Sequence, residues 1–415
     1  MTILEDQPIN PPTTLDLDEI NLADPDFWLR PDYHDALAKL RAARPVSWHE
    51  HHDSGKGFWA FLDYEDIIAV TRDWEAFSSK HGIRVHHDAG TGQVRPGTNI
   101  MIEMDPPEQT ANRKHVSTGF TPRQVRKMET YVREQAIRIV SEFERGDEIE
   151  FVGDIAARLP MEIICDIMGV DPADRPHLLD LSNRTLGDQD PDYGVDPLEG
   201  TKATLELREY GVQLAAERLE NPGDDLFSEI ARIEVDGKPL PKEQLGGYFA
   251  LLIAAGNETT RTAITHGMIA FSRFPDQKAL FQSDPVGLEQ SAAEEIIRWA
   301  SPLRHMGRVL THDIEYRGVR MRTGEKAAVW YSASNRDPAV FDDPFRFDIT
   351  RDPNLHQSFG GGGPHFCLGA NLARREVWVL FQELFARFPD AVAVADPVPL
   401  RSVQVNGVKS LKVRL

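Results

Sequence analysis

The chain reads as a mainly α protein with a minor β part, built as one domain. Three observations give that class. Apolar residues recur at helical spacing over long stretches: most of 106–187, about 198–220, and from Pro241 to about Phe274. Alternating, turn-punctuated stretches are short and confined to 46–62, 308–331 and 391–415. No segment repeats another. The 415 residues are 41% hydrophobic and 27% charged, enough to bury a large core.

Taken in order, residues 1–25 are polar and rich in Pro and Asp, and are expected as an arm on the surface. Asp32 to Arg44 is periodic and stops at Pro45. Val46–His49 and Phe58–Leu62 are short strands around a turn at Ser54–Gly57, and Tyr64–Arg72 is helical again. Residues 79–99 have no period and read as a loop. The histidines nearby (His49, His51, His52, His81, His86, His87) fit no standard metal spacing, so a solvated surface is the preferred reading. The helical stretch 106–187 should break at Thr121-Pro122, Gly146-Asp147, Gly153 and Val170-Asp-Pro172. Residues 188–198 are a loop, and Glu234–Leu240 is a hairpin turn. The helix after Pro241 is the longest; some thirty residues at about 1.5 Å each would cross a whole domain. Another helix covers Glu289–Ala300. Strands follow through 308–331, then aperiodic chain over 333–357. One or two hairpins close the chain, with a turn at Asn406-Gly407. The β-rich lobe is thus drawn from about 45–100, 304–331 and 391–415, and the helical lobe from the remainder.

Composition excludes several functions. The formal net charge of −20 argues against nucleic acid and anionic membranes as partners. No apolar run approaches the roughly 20 residues that span a bilayer, and Met1–Asn10 lacks the order of a signal peptide, so a cytoplasmic location is expected. Only Cys165 and Cys367 occur, too few and too far apart for a disulfide framework; Cys165 reads as helix core. There is no dinucleotide fingerprint and no cysteine set for an iron–sulfur cluster. If the protein needs electrons, another protein must bring them.

The chemistry concentrates in Ser358–Arg375, Ser-Phe-Gly-Gly-Gly-Gly-Pro-His-Phe-Cys-Leu-Gly-Ala-Asn-Leu-Ala-Arg-Arg. Glycines permit otherwise closed dihedrals and let the backbone approach a large flat ligand. Leu368, Leu372, Val379, Leu380, Leu384 and Phe388 follow at roughly helical spacing, which places Cys367 in a tight loop at a helix start. Free amides and the positive helix end there favour thiolate, and a thiolate on such a loop suits axial ligation of haem iron. The bland alternative is a buried structural cysteine ahead of an ordinary helix.

The loop closely resembles the haem-binding loop of the cytochrome P450 superfamily, F-G-x-G-x-H-x-C-x-G, with one extra glycine between Phe359 and Cys367. That longer form resembles actinobacterial members that oxidise steroids and methyl-branched lipids. Over essentially the full length, the run of elements also resembles that superfamily. The resemblance implies a triangular helical prism, a long central helix over haem b, and a small β-rich lobe. It makes Cys367 the iron ligand, with Phe359, Gly361 and Gly369 in the cofactor loop.

The long helix carries Leu251-Leu-Ile-Ala-Ala-Gly-Asn-Glu-Thr-Thr-Arg261. Small residues Ala255 and Gly256 leave room beside the helix for a macrocycle and dioxygen. A Thr hydroxyl can bond back to a carbonyl and loosen the helix, and an acid beside a hydroxyl can relay protons. The plain alternative is a buried helix with both threonines satisfied internally. The stretch looks like the superfamily's A-G-x-E/D-T, which gives Thr259 as the hydroxyl and Glu258 as the acid.

Glu295-Ile-Ile-Arg298 puts opposite charges three apart on an apolar helix. It matches the superfamily's E-x-x-R, a scaffold element, with Arg346 as the implied third member. By the same resemblance Gln109, Arg113, Arg308 and His356 would receive the haem propionates; ordinary surface salt bridges are the alternative. Arg113, Lys114, Arg123, Arg126, Lys127, Arg374 and Arg375 form local basic islands suited to an acidic electron donor, or are solvated helix faces. The whole implies a monomeric monooxygenase. It would hydroxylate an unactivated C–H of a large apolar substrate (sterol, terpenoid or methyl-branched lipid) with O2 and two electrons from NAD(P)H through ferredoxin reductase and ferredoxin. A peroxide-driven haem-thiolate enzyme and a non-enzymatic haem carrier or sensor are the alternatives.

Overall fold

The computed structural model describes residues 8–51, 56–85, 100–194, 198–235 and 237–415. Its first part holds α1 (Tyr33–Ala43), β1 (Val46–Glu50), β2 (Gly57–Phe61), α2 (Tyr64–Arg72) and β3 (Phe77–Ser78). Next come α3 (Glu108–Ser117), α4 (Pro122–Val140), β4 (Glu148–Glu150), α5 (Arg158–Ile167), α6 (Arg175–Leu186), α7 (Glu199–Glu220) and α8 (Leu226–Ala231). A two-stranded hairpin, β5 (Glu234–Val235) and β6 (Lys238–Pro239), leads into α9 (Lys242–Arg273), α10 (Pro275–Ser283) and α11 (Glu289–Ala300). Then follow β7 (His305–Leu310), β8 (Ile314–Tyr316), β9 (Val319–Met321), β10 (Lys326–Trp330), α12 (Tyr331–Ser334) and α13 (Ala370–Arg387). The chain closes with β11 (Val392–Ala393), β12 (Val398–Pro399), β13 (Val408–Ser410) and β14 (Lys412–Arg414).

Helix α9 is the axis of the helical part. It is buried nearly all round, polar residues such as Glu258 and Arg261 included. Helices α5, α6, α7, α10, α11 and α13 pack against it. Phe271 sits at their meeting point, edge-on to Phe347, Phe381 and Phe385. Gly267 is required there: a Cβ would stand 2.7 Å from the Phe381 ring.

The largest sheet among the described residues has five strands, ordered β1-β2-β10-β7-β3. Only β2 and β10 run parallel, with Phe58 opposite Lys326 and Phe61 opposite Val329. One face buries Phe58, Ala328 and Trp330; the other buries Phe61, Ala327 and Val329. Successive strand residues thus feed two separate cores.

Several expectations need correction. The end of the N-terminal arm is not on the surface: Ile20, Leu22 and Ala23 are buried with Trp28 in the first sheet core. His49 is also buried, accepting from the Leu22 amide and bonded to Ser47, rather than solvated. His52, His86 and His87, and most of 79–99, lie outside the described residues. Gly153 does not break a helix but sits in a π-helical turn, Val152–Ala156. Short elements were unforeseen, among them β3, β4, α8, α10 and α12. Strand β4 pairs with β14, which also pairs with β11; three residues are too few to show alternation.

Candidate active site

The loop before α13 is closed by the Cys367 amide donating to the Phe359 carbonyl at 2.9 Å. Gly360, Gly362 and Gly363 have φ of +102°, +96° and +76°, a region that side-chain-bearing residues rarely enter. Close approach is to α2 rather than to a ligand. A Cβ on Gly363 would stand 2.4 Å from the Thr71 carbonyl oxygen, and one on Gly361 2.8 Å from the Thr71 hydroxyl. Gly361 therefore packs the loop on α2 and does not line the cavity.

Cys367 lies two residues ahead of the α13 N-cap, Gly369, enclosed by protein yet open to an internal cavity. Burial pushes its thiol up; the Gly369 amide, Arg113 and Arg374 pull the other way. Burial wins, so the helix start alone does not deliver the thiolate the sequence suggested. A coordinated metal deprotonates such a thiol outright.

The cavity has about 1480 Å³ of atom-free space, its mouth included. Phe359, Cys367 and Gly369 form one wall; Ala255, Gly256 and Thr259 of α9 form another. Gln109, Arg113, Arg308 and His365 also line it. Arg308 is 4% exposed, and burial holds its pKa below the ordinary value. Among the described residues neither Arg113 nor Arg308 forms an ion pair; the nearby Asp105 is taken by Ser78 and the Ser79 amide at 2.6 and 2.8 Å. Burial, then Arg308, lowers His365 to about 4, so it is neutral at pH 7, and its Nε2 has no partner. Two guanidinia and a neutral imidazole with no carboxylate partner, beside a thiol, fit a flat cofactor bearing two carboxylates. Gln109 donates to the Pro364 carbonyl at 2.8 Å and so tethers the loop to α3.

His356 is not part of this group. Its Nε2 meets Glu294 at 2.7 Å, and Arg374 takes the same carboxylate at 2.7 Å. Arg374 then lies 4.4 Å from the centre of the Phe359 ring. His356 braces the loop on α11; His365, two residues before Cys367, occupies the cavity position. The histidine in the loop motif was the signal for it.

On α9, Thr259 donates back to the Ala255 carbonyl at 2.9 Å. The helix is nevertheless unbroken, so the expected loosened groove does not take the form of a break. Glu258 is 1% exposed, points away from the cavity, and pairs with Arg261, which in turn donates to Asn183 of α6 at 2.7 Å. The acid that does reach the cavity is Glu376 of α13, hydrogen-bonded to Thr260. Burial raises it to about 8, so it holds a proton at neutral pH. The sequence reading missed this pair; Glu376 stands in an apolar helix face, which is the only sequence signal it gives.

Glu295 and Arg298 are both fully buried and bidentate, at 2.7 and 2.8 Å. The third member is not the Arg346 side chain. Arg346 offers its carbonyl to Arg298, and Arg351 reaches Glu295 at 3.4 Å. Near the loop's outer side, a groove is lined by Arg126, Arg374 and Arg375 but also by Glu289 and Glu294. Arg375 pairs with Glu129 at 3.1 Å, so the basic island is partly neutralised within the chain. The Lys127 side chain is outside the described residues.

Known proteins resemble this chain over most of its length. A family model described as Cytochrome P450 matches residues 288–402. A methyl-branched lipid omega-hydroxylase of Mycobacterium tuberculosis is 41% identical over 97% of this chain and 96% of that one. A steroid C26-monooxygenase of Rhodococcus jostii is 36% identical over 95% and 84%. The solved structure of a Mycobacterium marinum cytochrome P450 in complex with pseudoionone is 36% identical, with a TM-score of 0.89 over 98% of this chain and 99% of that one. The chain belongs to the cytochrome P450 family. It is a monooxygenase, an oxidoreductase that incorporates oxygen from O2, and its cofactor is haem b.

Proposed function

We infer that the Cys367 sulfur would hold the iron of the bound haem and that the enzyme hydroxylates a terminal or near-terminal carbon of a large apolar molecule, a methyl-branched lipid or a steroid side chain. The bound haem supplies the iron at which dioxygen is reduced. Arg113, Arg308 and His365 would hold its propionates. In the same cavity the substrate would meet Met101, Ile102, Leu251, Leu252, Leu303 and Met306. That wall of aliphatic and thioether groups is the observation that carries the reading. It rewards an apolar chain by about 25 cal/mol for each Å² removed from water and offers a polar one nothing. The relatives named above, one acting on a methyl-branched lipid and one on a steroid, support the same class.

Thr259 presents its hydroxyl into the cavity, and Glu376 with Thr260 stores a proton at its edge. Glu258 can contribute only after releasing Arg261. Electrons arrive from NAD(P)H through ferredoxin reductase and a ferredoxin docking over Arg126, Arg374 and Arg375. Among the described residues no helix is long and apolar enough to cross a membrane. Optical titration of the ferric protein tests the substrate class. Methyl-branched fatty acids or sterols with intact side chains should shift the Soret band to the blue. A shift with short polar ligands, and none with either lipid class, would overturn the assignment.

A further inference from the structure

Outside the lining of the haem cavity, two arginines are buried without a counter-charge. Arg304, just ahead of β7, is 1% exposed. It donates to the Ser402 and Val405 carbonyls and, at 2.7 Å, to the Asn406 side-chain oxygen. Its Nε has no partner. Arg336, just past α12, is 4% exposed and donates once, to the Trp299 carbonyl at 2.8 Å. Its Nε and Nη1 have no partner.

His34, in the first turn of α1, lies with its ring 4.0 Å from that of Tyr33, the ring Arg304 also faces, and its Nδ1 is buried and unpartnered. Aromatic faces form the walls. Arg304 lies 5.0 Å from the Trp28 ring centre and 5.9 Å from that of Tyr33, and Arg336 lies 5.1 Å from Trp299. Glu295, the carboxylate whose charge acts on Arg336, is already bound by Arg298, Arg351, Asn354 and the Asp348 amide. Among the described residues neither Arg304 nor Arg336 has an ion-pair partner. Burial lowers both only to about 10, so both remain cationic at neutral pH. Their fields also fall on His34, which burial, then Arg336 and Arg304, hold well below its ordinary pKa.

A buried charge without a partner is among the costliest features a fold can keep. Aromatic faces soften it but supply no anion. The spare N–H groups are what an anion needs, and guanidinium N–H groups bind anions directly. We propose that Arg304, Arg336 and His34 enclose a binding site for one small monovalent anion of the halide class. The near-complete burial of both arginines favours a compact, weakly hydrated ion over phosphate or a ligand carboxylate. Bound there, the ion ties α1, the end of α11 and the loop before β13 to one centre, which would make it a structural cofactor of the β-lobe side.

The test uses the haem-loaded protein. Thermal unfolding is followed in potassium chloride, bromide and gluconate at one fixed ionic strength. Chloride and bromide should raise Tm saturably, by about 2 °C, while gluconate should not. Crystals grown in bromide should show an anomalous peak in contact with Arg304 Nε and Arg336. Arg336→Gln should lose the halide dependence. If that variant does not fold, His34→Phe removes a single donor and should weaken the halide effect several-fold. A Tm set by ionic strength alone, with no bromide peak at the arginines, would overturn the site and leave ordered water as their partner.

Discussion

A proton on Glu376 links the cavity to stability. Burial holds this carboxyl near 8 in the folded chain, against an ordinary value of 4.5. Between those values the folded state keeps a proton that the unfolded state has lost, so stability falls as pH rises through that window. Glu376→Gln should remove that fall, leaving Tm above wild type at pH 8 and close to it at pH 5; thermal melts at several pH values read this directly. The two histidines near the loop make a second contrast. His365→Phe should weaken haem retention, measured as the rate of transfer to apomyoglobin, because it removes a cavity-facing donor. His356→Phe should leave that contact intact and act through the Glu294–Arg374 brace, lowering Tm instead. Buried Glu295 belongs to the same scale. Replacing it by Ala strands Arg298, and unfolding stability should drop by about 3–5 kcal/mol.

At the scale of elements, the loop and α13 depend on α2. Gly363→Ala forces a Cβ onto the Thr71 carbonyl and a side chain into positive φ. It should cost about 1–3 kcal/mol and lower haem occupancy, measurable as the ratio of Soret to protein absorbance. Much at this scale was legible in the sequence. Long periodic helices announced themselves, as did the Cys367 loop and the Glu295–Arg298 pair, because each is set by local spacing. What failed was set by tertiary contact. β4 has three residues and exists because β14 lies beside it. Arg351 displaced Arg346 as the third member because the chain turns between them. Glu258 faces away from the cavity because the rotation of α9 gives that wall to Ala255, Gly256, Thr259 and Thr260. His356 was placed by its nearness to the loop in sequence, yet in space it faces α11.

For the molecule as a whole, a chain of net charge −20 keeps a mixed-charge groove near Cys367's loop, with Arg126, Arg374 and Arg375 on one side of its balance. Docking of the proposed ferredoxin should therefore slow as ionic strength rises, and Arg126→Glu should slow it further at low salt without changing substrate affinity. The apolar wall above Thr259, the cations at the cavity's edge and the thiol on its loop all serve one premise, that Cys367 holds haem iron. The ferrous carbon monoxide spectrum of the purified, haem-loaded protein tests that premise most directly. A Soret band displaced far to the red, as thiolate ligation produces, should appear in the wild type and vanish in Cys367→His while haem stays bound. A wild-type band at the position typical of histidine-ligated haem, unchanged by that substitution, would contradict the assignment of Cys367.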